Sequence, residues 1–194
     1  MKKKGYGFVY VKDMPSLKYE DVDIEGLDAD ALAVTGTYSD IADNHCATVC
    51  LTNLIKLGMR LKDETLLSVF DEKTEEKDIF GGIYAITGDG PIFALKHNLV
   101  KYMKPLNVGV EKIKYHSLDE VKEALKAQIP VALLVKGYNL NEWHWIICVG
   151  MRTYEDGSVY LRIIDNWNRT LIRFMPVKKK KPWISAISFK FKTK

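Results

Sequence analysis

Trp143-His-Trp-Ile-Ile-Cys-Val-Gly-Met151 is the stretch that decides the fold class, because its aromatic and β-branched residues are typical of a strand. In an extended strand, alternate positions place His144, Ile146 and Cys148 on one face. Four further segments of the same character surround it, each short and bounded by turns: VALLVKG (131–137), VYLRIID (159–165), LIRFM (171–175) and WISAISFKF (183–191). Together they predict one twisted, mostly antiparallel sheet.

The chain before this sheet has a helical pattern. In CATVCLTNLIKLGMRL (46–61), apolar residues recur on one face, which predicts a buried amphipathic helix that begins at or just after Cys46. The capping box Ser117-Leu-Asp-Glu120 marks the start of another helix. Two more helices are predicted within 62–76 and 92–103, with a glycine-containing loop between them at 81–91.

Helices first and strands second predict an α+β architecture. We expect a single domain, residues 1–194, with a helical lobe at about 40–128 packed on a sheet lobe at about 129–194. The aromatic segment at 5–12 is predicted to add an N-terminal strand to the sheet. The polar, acidic stretch at 18–30 is predicted to be a connection.

Composition excludes several classes of protein. The net charge of +4 is mild, and the lysine run at 178–181 lacks the recognition motifs of nucleic-acid binders, so we interpret it as a solvated loop. No stretch approaches the roughly 18 apolar residues that a membrane span needs. We therefore expect no nucleic-acid partner and no membrane span, and the sequence leaves the oligomeric state open.

The cysteine count and the N-terminus bear on the compartment. Three cysteines, an odd number, argue against a disulfide framework and fit a reducing environment. The basic start of the chain is not followed by the apolar centre or cleavage site of a signal peptide. We expect a cytoplasmic protein, or a secreted one if a leader has been removed.

Cys46 is the first candidate functional residue. The N-terminus of a helix carries partial positive charge and free N–H groups, which stabilise a thiolate. Cys50 lies one turn further along the apolar stripe, where a buried thiol ionises poorly and behaves as a small hydrophobe. We therefore assign Cys46 as a candidate nucleophile and Cys50 as part of the core.

His144 and Asp165 complete a possible catalytic set. An imidazole on a rigid strand can take a thiol proton and later protonate a leaving group. Asp165 follows the neighbouring predicted strand and could accept the second ring N–H of His144, which would fix the tautomer. Each residue also has a purely structural interpretation. His144 could be a hydrogen-bonded histidine in a half-buried strand, and Asp165-Asn166 could simply start a turn.

Three short blocks resemble the papain-like cysteine peptidases, in particular the bacteriocin-processing, double-glycine-cleaving group of bacterial proteins, the C39-like peptidases. Cys46-Ala-Thr-Val-Cys-Leu-Thr-Asn-Leu-Ile55 resembles the nucleophile helix of that group, and His144-Trp-Ile-Ile-Cys-Val-Gly150 is similar to its histidine strand. Asp165-Asn-Trp167 resembles the acidic residue and the aromatic residue that follows it. The likeness spans residues 40–167.

The resemblance implies a papain-like fold and acyl transfer by a triad. Cys46 would be the nucleophile, His144 the general base and Asp165 the residue that orients the histidine. It implies a peptide or protein substrate, and neither a metal nor an organic cofactor. His144 follows Cys46 by 98 positions, fewer than the about 130 to 150 of papain and the cathepsins.

The oxyanion donor departs from the papain-like pattern. That pattern has a glutamine shortly before the nucleophile, whereas Gln128 is the only glutamine in this chain. Asn44 offers a side-chain amide and is the expected replacement, with Ser39 behind it. The backbone N–H of Cys46 would supply the other hydrogen bond.

Other functions stay open at this stage. A metal site would use His45, Cys46 and Cys50 but lacks a second ligand pair, which Cys148 or His144 would have to supply. A redox pair of Cys46 and Cys50 is disfavoured, because side chains one helical turn apart diverge more than a disulfide prefers. The fold could also serve as a catalytically weak or inactive binding module, or as a transglutaminase-like acyltransferase.

Overall fold

The computed structural model describes residues 6–40, 42–43, 45–71, 73–89, 93–137, 143–178 and 182–194. Its helices are α1 (Cys46–Arg60), α2 (Glu64–Leu67), α3 (Glu76–Thr87), α4 (Leu95–Met103) and α5 (Leu118–Lys126). Its strands are β1 (Val9–Tyr10), β2 (Tyr19–Asp23), β3 (Val108–Lys114), β4 (Val131–Lys136), β5 (Trp143–Tyr154), β6 (Val159–Ile164), β7 (Arg173–Pro176) and β8 (Ser185–Thr193).

The eight strands form one sheet in the order β1-β7-β6-β5-β4-β8-β3, and β2 pairs with β5 beside that row. The pairs that involve β1, β2 and β4 to β7 are antiparallel. One edge of β5 is shared, since its first half pairs with β4 and its last five residues pair with β2. The predicted α+β class and mostly antiparallel sheet are confirmed.

The chain divides into two compact units. The sheet unit comprises Met1–Glu25, Lys114–Asp165 and Thr170–Ile187, and the helical unit comprises Gly26–Ile113, Asn166–Arg169 and Ser188–Lys194. Helix α5 belongs to the sheet unit, because its apolar face (Val121, Ala124 and Leu125) is buried and packs on the sheet. The single domain with lobes at about 40–128 and 129–194 stays a prediction.

In the sheet unit, the core runs along β4 and β5. All residues of 131–135 and 144–151 are buried, as expected for strands covered on both faces. Cross-strand pairing sets Val135 opposite His144, so the histidine lies at the end of β5 next to the end of β4. Its backbone position is therefore fixed by a sheet ladder rather than by a loop.

In the helical unit, α1 forms the core. Residues 47–55 of this helix are all buried, and a helix surrounded by protein in this way is a central element. Helices α2, α3 and α4 pack around it. A cluster of Tyr38, Phe80 and small residues covers its first turns, with the two aromatic rings stacked at 3.6 Å between centroids. The beginning of α1 is therefore packed against this cluster.

Two elements differ from the prediction because of tertiary pairing. The predicted connection at 18–30 contains strand β2, whose residues are largely exposed and so show no alternating pattern; its pairing with β5 makes it a strand. Gly81 and Gly82 lie inside α3 rather than in a loop, because Ile79, Phe80 and Ile83 bury one face of that helix. The ring of Tyr102 occupies the space that a side chain at Gly82 would take.

The remaining predictions differ mainly in extent. The predicted helix at 62–76 is only the single turn α2, and the N-terminal strand is the short β1 followed by a 3-10 turn at Val11–Asp13. Strand β3 was not predicted. Of the lysine run, Lys178 is exposed, and residues 179–181 lie outside the described part of the chain, as does residue 5 of the predicted first strand.

Candidate active site

Cys46 is the first residue of α1, a helix of 15 residues, and its side chain is half-buried. Its position agrees with the predicted helix start. The N–H groups of the first helical turn lack partners within the helix, and their dipoles add to a partial positive charge at this end. A thiolate at Cys46 is therefore stabilised relative to one in a strand or a loop.

The other two cysteines are buried. Burial raises the pKa of the Cys50 thiol, and the neighbouring Cys46 adds to the increase, while a hydrogen bond with the Asn166 side chain opposes it. Burial likewise raises the pKa of Cys148 to about 12, and its Sγ donates to the carbonyl of Gly150 at 3.3 Å. Of the three cysteines, Cys46 alone combines partial exposure with a helix N-terminus.

His144 is 3% exposed, and its Nε2 lies 2.6 Å from the backbone carbonyl oxygen of Asp165. A carbonyl oxygen only accepts hydrogen bonds, so Nε2 is the donor and carries the proton in the neutral ring. The other ring nitrogen, Nδ1, then holds a lone pair. His144 is consequently in the tautomer that can take a proton at Nδ1.

Burial lowers the pKa of His144 from 6.5 to about 4, because the imidazolium loses its hydration. The hydrogen bond to the Asp165 carbonyl and the negative charge of Asp165 oppose this shift. At neutral pH the imidazole is therefore uncharged and ready to accept a proton. Formation of the imidazolium costs free energy that the Asp165 charge partly offsets.

A titration of His144 tests this protonation state. The ring signals of His144 are expected to titrate by NMR with a midpoint near 4. Because the pKa of His144 is lower in the folded chain than in the unfolded chain, protonation favours unfolding. The contribution of the neutral imidazole to the free energy of unfolding is therefore complete above pH 6.5 and is lost as the pH falls toward 4. A midpoint at or above 6.5 would show that the imidazole is not desolvated.

The Asp165 side chain has a different partner. Its carboxylate is fully buried, and Oδ2 lies 3.3 Å from Nε of Arg173 on β7. The guanidinium of Arg173 also lies over the ring of Tyr10, 4.3 Å from the centroid. The sequence assigned the orienting role to Asp165. The observed hydrogen bond to the imidazole goes to its backbone carbonyl, and its carboxylate forms an ion pair with Arg173.

This arrangement predicts that Asp165→Asn has little effect on the orientation of the His144 ring. The carbonyl that accepts from Nε2 is retained, so kcat/KM for the peptidase activity that the sequence resemblance implies is expected to fall by less than about tenfold. The lost negative charge should lower the pKa of His144 and move the acidic limb of the pH profile to lower pH. Peptidase assays across pH, with urea unfolding as a check on folding, measure both effects. A loss as large as that of His144→Ala would instead make the carboxylate the orienting group.

A buried amide network in the helical unit was not predicted from the sequence. Asn53 on α1 is fully buried, and its side chain bonds both the N–H and the carbonyl of Ala33, at 2.8 and 3.0 Å. Its Nδ2 also donates to Oδ1 of Asn166 at 2.8 Å. Asn166 has a left-handed backbone, with φ of 61°, and directly follows Asp165. In the sequence, the one feature that indicates this network is the polar residue Asn53 within the apolar helix pattern of 46–61.

The predicted oxyanion donors receive no new support from the geometry. Asn44 lies outside the described residues. Ser39 is exposed, and its hydroxyl donates to the carbonyl of Gly36 at 3.1 Å, within its own 3-10 turn. Gln128 belongs to the sheet unit, where its Oε1 accepts from the N–H of Glu25 at 2.9 Å and its Nε2 donates to the carbonyl of Asp23. This glutamine links α5 to the end of β2.

The residues considered for a metal site have other roles. Nε2 of the buried His45 lies 2.8 Å from the carbonyl oxygen of Thr35, and Cys46, Cys50 and Cys148 are not joined in disulfides. Within the described ranges, no three His, Cys, Asp or Glu side chains come close enough to hold a metal ion. Among those same ranges, no helix has the length and apolar character needed to cross a bilayer.

Comparisons with known proteins identify the fold. No family model matches the chain, and no curated protein matches its sequence. The structure is similar to the crystal structure of a candidate C39-like peptidase from Bacillus anthracis, with 16% identity and a TM-score of 0.52. The match covers 90% of this chain and 100% of that one. The chain thus has the α+β, papain-like fold of a C39-like peptidase.

Proposed function

We propose that this chain is a cysteine-dependent hydrolase that cleaves a peptide or amide bond through an acyl-enzyme on Cys46. The observation that carries the proposal is the half-buried thiol at the first position of α1, in a chain whose other two thiols are buried. The tautomer of His144, with Nδ1 as acceptor, supports its role as general base. Asp165 is the positioning residue of that base.

The reaction proceeds in two acyl-transfer steps. The Cys46 proton passes to Nδ1 of His144, and the sulfur attacks the substrate carbonyl carbon to form a tetrahedral oxyanion. The backbone N–H of Cys46 donates one hydrogen bond to this oxyanion. The imidazolium returns its proton to the leaving amine as the C–N bond breaks. Water then attacks the thioester with His144 again as base, which releases the acid and restores the thiol.

The buried position of His144 has a consequence for this cycle. A neutral imidazole is the resting form, and the cation exists only while the transferred proton is held. The Asp165 carbonyl keeps the ring oriented in both forms, because Nε2 donates in each. The Asp165 carboxylate stabilises the cation electrostatically.

Trapping of the acyl-enzyme tests the proposal. The protein is mixed with a library of blocked peptides, quenched in acid and analysed by intact mass spectrometry and peptide mapping. We expect a thioester on Cys46 that is absent in Cys46→Ser and that is discharged by water. Addition of a primary amine distinguishes hydrolysis from transfer: dominant amide products would favour the transglutaminase-like acyltransferase.

A second candidate function is a peptide-binding module without turnover. One observation favours it. Gln128 is the only glutamine in the chain, and its side-chain amide forms backbone hydrogen bonds that link α5 to β2. It is therefore not available as the oxyanion donor that the papain-like pattern uses. The module predicts equal peptide affinity for the wild type and Cys46→Ala, and no covalent intermediate at any time point. The hydrolase predicts the intermediate.

A further inference from the structure

A cavity of about 360 Å³ opens in the sheet unit and is lined by the ends of several strands. Its volume falls within the range of about 300 to 1,000 Å³ that is usual for ligand pockets. Trp183, only 4% exposed, lines it together with other apolar side chains. We call it the Trp183 cavity; its other lining residues used below are Tyr6, Val135, Lys136, Met175 and Lys178.

The Trp183 cavity lies beside the proposed general base. Tyr6 forms part of its wall, and the centroid of the Tyr6 ring lies 5.6 Å from that of His144. Val135, another wall residue, is the direct cross-strand neighbour of His144. A group held in the cavity is therefore one side chain away from the imidazole.

The chemistry of the lining selects a particular occupant. Val135, Met175 and Trp183 offer an apolar surface that suits a bulky aliphatic or aromatic side chain. Lys136 and Lys178 are both exposed at this site, and neither forms an ion pair with a residue that the structure describes. None of the described lining residues is acidic. The cavity is thus apolar within and cationic at its rim.

We propose that the Trp183 cavity is a substrate-recognition pocket that binds a bulky apolar side chain of a peptide flanked by acidic residues. This inference rests on the proposed function, because it assigns the occupant as substrate of the Cys46 and His144 chemistry. Apolar burial supplies the affinity, and the two lysines select against cationic peptides by repulsion.

Binding to the Cys46→Ala variant tests the pocket without turnover. The probes are the blocked peptides acetyl-Glu-Phe-Glu-amide, acetyl-Lys-Phe-Lys-amide and acetyl-Glu-Gly-Glu-amide, whose symmetry makes chain direction irrelevant. The readout is the NMR signal of the Trp183 indole N–H, assigned with Trp183→Phe. We expect Phe in place of Gly to tighten binding about tenfold, from burial of the ring. We expect Glu in place of Lys to tighten it about fivefold, from rim charge.

Charge reversal supplies the matched control. Lys178→Glu is chosen over a change at Lys136, whose ammonium lies 5.4 Å from the ring of Trp143, next to His144. Lys178→Glu should abolish the preference for the Glu peptide. Lys96→Glu makes the same change in net charge at an exposed position of α4 and should leave the preference intact. Equal shifts from all three peptides, or none at Trp183, would overturn the inference.

The two proposals fail in different ways. Turnover of peptides by the wild type, without any Phe or Glu preference at Trp183, would refute the pocket and leave the hydrolase in place. The expected preference in a protein that never forms a thioester on Cys46 would establish the cavity as a peptide site and refute the hydrolase, and with it the occupant's role as substrate.

Discussion

Cys46→Ala is expected to abolish peptide hydrolysis, with kcat/KM reduced by about 10⁴-fold or more. The loss is this large because the sulfur forms the covalent bond, and no neighbouring thiol can replace it: Cys50, one turn along α1, is fully buried with a raised pKa. Initial rates on a peptide cleaved by the wild type measure the effect. Peptide affinity should change little, since the substitution removes one sulfur atom.

The matched controls are the buried cysteines. Cys50→Ala and Cys148→Ala remove thiols that lie in the core of the helical unit and the sheet unit, respectively. Each should lower stability by about 1 kcal/mol or somewhat more through a small cavity, while kcat/KM stays within about threefold of the wild type. Activity that survives Cys46→Ala, or that depends equally on Cys50, would refute the assignment of the nucleophile.

Asn53→Leu is expected to produce the largest loss of stability, about 3 to 5 kcal/mol. Leucine has a similar volume, so the loss comes from polar groups rather than from a cavity. The N–H and carbonyl of Ala33 and Oδ1 of Asn166 would each lose a buried hydrogen bond. Urea unfolding at pH 7 measures the change. Because Asn166 follows Asp165 directly, the variant should also reduce activity under conditions where it remains folded.

Thr52→Val is the matched control for Asn53→Leu. Thr52 is the preceding residue of α1 and is equally buried, but its hydroxyl donates only to the carbonyl of Thr48 one turn earlier. The expected loss is below about 1 kcal/mol, since that carbonyl still accepts from the helix backbone. If both variants lose the same free energy of unfolding, the amide network contributes nothing beyond an ordinary buried hydrogen bond.

The parts of the fold that could be predicted are those with a local signal. Strand β5 has continuous aromatic and β-branched residues, and α1 has a clear apolar face, so both were identified with nearly correct limits. Strand β2 is exposed and is a strand only because β5 provides its hydrogen-bond partners. The glycine pair inside α3 is likewise stabilised by packing around Phe80, which no local pattern reveals.

The candidate site shows the same division. The position of Cys46 follows from the helix that begins there, and His144 follows from its strand. Other interactions join distant parts of the sequence. They are the hydrogen bond from His144 to the Asp165 carbonyl, the ion pair of the Asp165 carboxylate with Arg173, and the hydrogen bonds of Asn53 with Ala33 and Asn166. Such pairings depend on the sheet register and on a left-handed backbone at Asn166, and neither can be derived from spacing along the chain.

The most direct test of the account is the rate at which iodoacetamide alkylates Cys46 at pH 7, followed by mass spectrometry. If His144 activates this thiol, the wild type should react about tenfold or more faster than a peptide thiol, and His144→Ala and His144→Gln should fall to the peptide rate. His97→Ala, which removes an exposed histidine from α4, should react like the wild type. An unchanged rate in both folded His144 variants would contradict the account.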